Sequence, residues 1–279
     1  MVFHFIEDIE TRKSVANIAK AHAPYVMEFV GTFFLTLTIA LVGGESLENF
    51  ILVGFLGAFA IGWMLAIMVY AGGRISGGHY NPAVTLSVFL SGQVSDLTIF
   101  KTLMYFGVQT FGALMGAFIA YGCTKQKGVQ PNYDKHGTTD ADGVAFTVEF
   151  FYTFALCFVV LNTAVAKSQI KDNSFFGFCI GTTVLVGALT CGALSGAVFN
   201  PAVATGLFIS NAVVGGPKFN SWAIYYVAEF LASVFAAIVF AVLNSDDYFP
   251  EEQEGIKSSD GNATKNPLSS TDKSISSDT

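Results

Sequence analysis

The amino-acid sequence predicts an all-α membrane protein with six transmembrane helices and two re-entrant half-helices, arranged as an inverted repeat. Two observations carry this prediction. Hydrophobic residues make up 52% of the 279 residues and charged residues only 13%, with a mean hydropathy of +0.55, which is typical of polytopic membrane proteins. In addition, the pattern Ser-Gly, three residues, Asn-Pro-Ala-Val occurs twice, with its asparagines 119 residues apart at Asn81 and Asn200.

The six apolar spans follow one another along the chain between short connectors. We expect them at Pro24–Val42, Asn49–Tyr70, Asp96–Gly122, Val144–Ala166, Ser174–Leu189 and Ser221–Leu243. Residues 1–23 are predicted to form a cytoplasmic N-terminal segment with a short amphipathic helix. Residues 24–243 form the membrane domain, with repeat one at about 24–122 and repeat two at about 144–243. Residues 244–279, rich in Ser, Asp, Glu, Lys and Gly, are predicted to be a disordered tail.

Each repeated loop is predicted to open a short helix. Asn is a favoured N-cap, and Pro is favoured at the first helical position, where its missing N–H costs nothing. The half-helices are expected at Pro82–Leu90 and Pro201–Ser210. Nine residues of helix span roughly 13 Å, about half of the hydrocarbon layer. Such re-entrant segments are tolerated only where they line a wet cavity, and two helix N-termini that meet there oppose the passage of cations.

The two halves are predicted to be inverted relative to each other. Met27-Glu28-Phe29 in the first span matches Val148-Glu149-Phe150 in the fourth. Because three spans, an odd number, separate equivalent elements, the second half must cross the membrane in the opposite direction. Inverted repeats with broken helices place the transport pathway near the membrane centre, between the halves.

Paired Asn-Pro-Ala loops in a six-span protein resemble the aquaporin family, the major intrinsic proteins, from about Pro24 to Leu243. The resemblance implies a homotetramer with one pore per subunit and no cofactor. It also implies that pore-facing NH₂ groups of Asn81 and Asn200 orient the central water and interrupt proton transfer, although plain helix caps are the alternative. The motif residues are Asn81, Pro82, Ala83, Asn200, Pro201 and Ala202. Pore-lining carbonyls are expected at Gly77, Gly78, His79, Gly196, Ala197 and Val198.

Ionisable residues in the membrane domain have two interpretations each. Glu28 and Glu149 could form a proton relay or cation site, or could accept hydrogen bonds from the free N–H groups of the re-entrant loops; the resemblance supports the second. His79 could be a pH gate at the cytoplasmic mouth or could position the loop backbone. Glu229, in the sixth span, stands where the family usually has a small residue or Pro. Its two interpretations are a protonated carboxyl and a contact with a neighbouring subunit.

The outer constriction departs from the family pattern. An Arg usually follows the second Asn-Pro-Ala, and here that position is Val203. The Asp that is typical of the glycerol-transporting branch is replaced by Ala204. By resemblance, the selectivity filter consists of Ile61, Ala188, Ala197 and Val203. None of these is charged or aromatic, which favours a water channel with relaxed selectivity.

The charge distribution predicts that both termini are cytoplasmic, because Lys and Arg are enriched on that side of membrane proteins. The side of the termini holds Arg12, Lys13, Lys20, Arg74, Lys101, Lys167 and Lys171. The opposite side holds Lys125, Lys127, Lys135 and Lys218. The tail carries eight acidic and three basic residues, so it accounts for most of the net charge of −7. The sequence contains no basic patch suited to binding nucleic acid.

The predicted function is therefore a passive water channel that also passes small neutral solutes such as glycerol, urea and ammonia. Its partners are these solutes and the lipid bilayer of a plasma or vesicle membrane. No metal-ligand spacing or nucleophile–base pair points to an enzyme. Two alternatives stay open: a channel that leaks protons or ions, motivated by the missing Arg, and a non-transporting scaffold or adhesion protein, motivated by the apolar filter and the long tail.

Overall fold

The computed structural model describes residues 8–43, 50–127, 129–131, 140–167, 173–217 and 221–249, and every regular element in these ranges is helical. Eight α-helices occur there: α1 (Ile9–Gly43), α2 (Phe50–Ser76), α3 (Pro82–Ser91), α4 (Ile99–Thr124), α5 (Ala141–Val160), α6 (Phe176–Ser195), α7 (Pro201–Val213) and α8 (Trp222–Leu243). A π-helical turn, Leu161–Val165, extends α5. Six of these helices are long and apolar enough to cross a membrane, and α3 and α7 are shorter, which confirms the predicted fold class.

The first span and the predicted N-terminal helix form one continuous helix, which differs from the sequence prediction. α1 runs for 35 residues and contains Pro24 in its interior. Proline removes one backbone hydrogen bond and usually ends or kinks a helix. Membrane helices tolerate it because neighbouring groups satisfy the freed carbonyl. At 1.5 Å per residue α1 is about 52 Å long, so it is much longer than a hydrocarbon layer of about 30 Å.

The two short helices begin where the sequence predicts. Asn81 and Asn200 are the N-caps, and Pro82 and Pro201 occupy the first turn. α3 is followed by Gly92, whose left-handed backbone (φ 65°) lets its N–H donate to a carbonyl of the last turn. α7 continues to Val213, three residues beyond the predicted end.

The helices pack as two interlocked halves. In the first half α1 packs against α2 and α4, and in the second α5 packs against α6 and α8 in the same way. α2 and α6 meet between the halves. Each half-helix, however, packs mainly against the other half: α7 lies on α4, and α3 lies on α8. This arrangement is that of an inverted repeat whose re-entrant segments meet in the centre.

Glycines allow the closest of these approaches. A Cβ atom at Gly112 of α4 would lie 2.4 Å from the carbonyl oxygen of Phe29 in α1, and one at Gly116 would lie 2.6 Å from that of Phe33. Gly112 and Gly116 therefore let α4 pack closely against α1, since any larger residue would push the two helices apart.

The beginning of the predicted tail packs against the membrane domain. Ser245–Asp247 form a 3-10 turn, the Tyr248 hydroxyl donates to the carbonyl oxygen of Ser91 at 2.7 Å, and Asp247 accepts from the Lys167 backbone N–H at 2.9 Å. The contact with α3 orders this segment. The remainder of the predicted tail, residues 250–279, lies outside the described residues, as do residues 1–7 and the lysines Lys135, Lys171 and Lys218.

Candidate functional site

The two loops that precede the half-helices have the same unusual backbone. Tyr80 and Phe199, directly before the motif asparagines, both have a positive φ of 51°. Gly77 and Gly196 also lie in the left-handed region, at 97° and 91°. Bulky residues rarely adopt this conformation, which persists only where surrounding contacts fix it. The contacts that fix Tyr80 and Phe199 come from a carboxylate on one side and from the opposite loop on the other.

Glu28 holds the first loop. Its Oε1 accepts from the Ser76 hydroxyl at 2.6 Å and from the His79 N–H at 3.0 Å. Its Oε2 accepts from the Tyr80 N–H at 2.6 Å and from the Gln109 amide at 2.8 Å. Glu28 is fully buried, so these four donors replace the water that a carboxylate would otherwise need.

Glu149 holds the second loop in the same way, with one donor fewer. Its Oε1 accepts from the Ser195 hydroxyl at 2.6 Å and from the Val198 N–H at 3.0 Å, and its Oε2 accepts from the Phe199 N–H at 2.9 Å. The side chain is likewise fully buried. Neither carboxylate lines the central cavity, so both lie behind the loops and not in the pathway. This geometry favours loop support over a proton relay.

Two buried tyrosines complete the support of the loops, and the sequence analysis missed them. The hydroxyl of Tyr105 in α4 donates to the carbonyl oxygen of Ser76 at 2.8 Å, and that of Tyr225 in α8 donates to the carbonyl oxygen of Ser195. The signal was present in the sequence, because the two tyrosines are 120 residues apart, close to the spacing of the motif asparagines.

The motif asparagines tie the two loops to each other. Asn81 Oδ1 accepts from the Ala83 N–H at 2.9 Å, and Asn200 Oδ1 accepts from the Ala202 N–H at 3.0 Å, so both oxygens cap their own helices. Asn81 Nδ2 donates to the carbonyl oxygen of Phe199 at 2.7 Å, and Asn200 Nδ2 donates to that of Tyr80 at 2.9 Å. Each NH₂ group therefore donates one hydrogen to the opposite loop and has its second hydrogen available as a donor.

A polar network joins Thr85, Gln109 and His79 beside the first motif. The Thr85 hydroxyl donates to the Asn81 carbonyl oxygen at 2.9 Å and accepts from the Gln109 amide at 2.9 Å. His79 Nδ1 lies 3.2 Å from the same hydroxyl. Because the Thr85 proton is already used, Nδ1 must be the donor, which leaves Nε2 as an acceptor. The equivalent positions in the second half are Val198 and Ala204.

A cavity of about 670 Å³ runs between the two halves. Its wall contains both Asn81 and Asn200 and extends outward to residues 129–131, between α4 and α5. Among the described residues that line this cavity, none is Asp, Glu, Lys or Arg, and His79 is the one ionisable side chain. The cavity is thus an uncharged, mostly apolar passage with two carboxamides inside it.

The predicted filter residues are brought together in this cavity. Its lining includes Ile61, Ala188, Ala197 and Val203. Val203 is almost fully buried, and its N–H also donates to Asn200 Oδ1 at 3.3 Å, which fixes it within the first turn of α7. Of the residues predicted to contribute pore carbonyls, the lining includes Gly78, His79, Gly196, Ala197 and Val198. Gly77, whose N–H donates to the Gly73 carbonyl oxygen just after the end of α2, does not belong to it.

Comparison with known proteins agrees with this arrangement. Residues 13–240 match the family model "Major intrinsic protein". The chain is 28% identical to Aquaporin A of Dictyostelium discoideum over 256 residues, covering 88% of this chain and 86% of that protein. It is 30% identical to Glycerol uptake facilitator protein-like 6 of Lactiplantibacillus plantarum, covering 80% and 99%.

A solved structure shows the same fold. The aquaglyceroporin from Plasmodium falciparum superposes with a TM-score of 0.64 at 19% identity, covering 81% of this chain and 95% of that one. The family match spans both repeated motifs, all six spans and the cavity between them. The chain therefore belongs to the major intrinsic protein family and is a multi-pass membrane channel for water or small solutes.

Proposed function

We propose that this chain is a passive water channel with relaxed selectivity, which also passes small neutral solutes such as glycerol and urea, and that it performs no catalysis. The observation that carries the proposal is the pair of motif asparagines in one cavity. Because each Oδ1 is committed to its helix cap, only NH₂ groups remain to meet a solute. A water whose two lone pairs accept from both NH₂ groups can donate to its neighbours in the file but cannot accept a proton from them, which interrupts proton transfer.

The composition of the filter supports the relaxed selectivity. The four residues Ile61, Ala188, Ala197 and Val203 offer neither a fixed charge nor a side-chain hydrogen bond. A small neutral solute loses less hydration free energy there than a cation does, because an apolar wall cannot replace the water shell of a cation. The two half-helix N-termini add a positive potential against cations. These features favour a neutral-solute channel over an ion leak or a non-transporting scaffold.

The proposal includes a homotetramer in which each subunit has its own pore, with both chain termini on the cytoplasmic side. Family resemblance supports the tetramer, and the distribution of Lys and Arg supports the orientation. Crosslinking in the native membrane tests the tetramer, and protease accessibility of the two termini in sealed vesicles tests the orientation.

Stopped-flow light scattering on proteoliposomes tests the transport proposal, with water, glycerol and urea gradients run side by side. The informative variant is Val203→Arg, which narrows the cavity and adds a donor and a positive charge. We expect it to lower glycerol and urea flux more than water flux. Val213→Arg is a matched control, because Val213 lies in the same helix, is 68% exposed and does not line the cavity.

Two outcomes would count against the proposal. Proteoliposomes no more permeable to water than empty liposomes would remove the channel function. A folded Val203→Arg variant with the same water-to-glycerol ratio as Val213→Arg would show that Val203 is not part of the filter. Gel filtration of both variants, compared with the wild type, establishes that the proteins are folded before flux is measured.

A further inference from the structure

Glu229, in the middle of α8, has a hydrogen-bond pattern that does not fit an ionised carboxylate. The side chain is fully buried. Its Oε1 accepts from the backbone N–H of Asn200 at 3.0 Å, at the start of α7. Its Oε2 is buried and has no hydrogen-bond partner among the described residues. Buried carboxylates normally have donors on both oxygens, because nothing else replaces their hydration.

The internal repeat identifies the residue of the first half that corresponds to Glu229. Glu229 stands 120 residues after Gln109, the same separation as between Tyr105 and Tyr225, so it is the second-half counterpart of that glutamine. Gln109 presents an amide, with one acceptor oxygen and one donor group, and its NH₂ is the fourth donor to Glu28. A neutral carboxylic acid also has one acceptor oxygen and one donor, whereas a carboxylate has acceptors only.

Glu229 has no positively charged residue in the helices that pack most closely against α8. These are α3, α5, α7 and the π-helical turn, and none of them, nor α8 itself, contains Lys, Arg or His. α4 also reaches α8, through the Phe106 and Phe230 rings, and its Lys101 is paired with Asp96. The titratable groups that interact electrostatically with Glu229 are Glu149 and Cys157 on α5 and Tyr226 on α8. All three are neutral or negative. Glu149 already has three donors and is the better stabilised anion of the two carboxyls.

Ionising both of two carboxyl groups that interact in an apolar surrounding is costly where no cation compensates them, and the group with fewer donors retains the proton. We propose that Glu229 is a neutral carboxylic acid in the folded channel and a positioning residue for Asn200. Its carbonyl oxygen fixes the Asn200 N–H, and its proton removes the negative charge that would otherwise lie at the N-terminus of α7.

The protonated state has a consequence for cation exclusion. The N-terminus of α7 carries roughly half a positive charge that faces the centre of the membrane. An ionised carboxylate hydrogen-bonded to Asn200 would offset it, and the barrier to cations would weaken. The proposed charge state of Glu229 does not depend on the proposed channel function. Only the effect on cation exclusion rests on that function.

Infrared spectroscopy of the full chain in lipid at neutral pH tests the charge state. The spectrum of the wild type minus that of Glu229→Gln should contain a protonated-carboxyl C=O band that shifts in D₂O. Glu10→Gln is the matched control, because Glu10 is exposed and its removal should delete a carboxylate band instead. Loss of a carboxylate band in Glu229→Gln would overturn the proposal. If Glu229→Gln does not fold, Glu229→Asp replaces it, and the protonated-carboxyl band should then shift relative to the wild type. An unshifted band would also contradict the proposal.

Water permeability separates positioning from mere space filling. Glu229→Gln should retain the wild-type rate, because the amide keeps an acceptor for the Asn200 N–H. Glu229→Leu fills a similar volume without an acceptor and should lower the rate several-fold. Equal rates in the two folded variants would show that Glu229 does not position Asn200, even if the channel function itself holds.

Discussion

Replacing Glu28 with glutamine should destabilise the protein substantially, because the change removes acceptor capacity where four donors converge. One oxygen remains for Ser76 and the His79 N–H. Gln109 can turn its amide to offer its otherwise unpartnered Oε1 to the new NH₂ group. The backbone N–H of Tyr80 cannot adapt, and it would face a donor in place of an acceptor.

The magnitude follows from these contacts. A buried donor left unsatisfied costs about 1–3 kcal/mol, and hydrogen bonds that lose their charged partner weaken by about 1 kcal/mol each. With the two bonds from Ser76 and His79 weakened, these give about 3–5 kcal/mol, a large share of a typical folding free energy of about 5–15 kcal/mol. For a chain of this size that corresponds to a fall in midpoint temperature of about 6–20 °C.

Thermal denaturation of the detergent-solubilised protein, followed by the loss of the folded gel-filtration peak, measures this effect. Glu10→Gln is the control, since it removes an exposed ion pair with Lys13 that contributes at most about 1 kcal/mol. A midpoint for Glu28→Gln that lies no lower than that of Glu10→Gln would refute the assignment of Glu28 as the group that holds the first loop.

Three further substitutions test other parts of the structure. Asn200→Ala should cost about 1 kcal/mol of helix capping and reduce water flux in proteoliposomes, and unchanged flux at equal protein density would contradict its role in the pore. Gly112→Ala should destabilise by about 1–3 kcal/mol, seen as a lower denaturation midpoint, because its Cβ meets the Phe29 carbonyl. Asp96→Asn should cost less than about 1 kcal/mol, since the Asp96 carboxylate of the pair with Lys101 (Nζ to Oδ2, 2.7 Å) is largely exposed. The hydrogen bond from Lys101 lowers the pKa of Asp96 below its usual range, so its contribution is present above the usual pKa and is lost as the pH falls through the lowered pKa, which denaturation midpoints measured over a descending pH series would show.

The sequence was sufficient to predict the six spans and the starts of the two half-helices, because both depend on strong local signals. Long apolar runs define the spans, and Asn followed by Pro defines the start of each half-helix. The continuous α1 was not predictable in this way, since Pro24 is a helix breaker in water and is tolerated only through the neighbours that a membrane bundle supplies.

The supporting contacts behind the loops were harder to predict for a different reason. Tyr105, Gln109 and Thr85 lie on helices where nothing in their local sequence marks them as polar partners of a carboxylate. Their roles depend on helix packing between segments up to 81 residues apart, as for the hydrogen bond from Gln109 to Glu28. Comparing the two repeats position by position would have identified the tyrosine pair and the exchange of Gln109 for Glu229.

The crossed packing of the half-helices has a consequence for the time course of synthesis. α3 ends at Ser91 and rests on α8, which begins only at Trp222, about 130 residues later. At translation rates of about 5–20 residues per second, the first half-helix waits about 7–25 seconds for its packing partner. During that interval its apolar surface and polar loop must be accommodated by lipid, by the insertion machinery or by the first half alone. A ribosome that stalls before the last span therefore leaves a chain that has every residue of its first motif but lacks the main packing partner of α3.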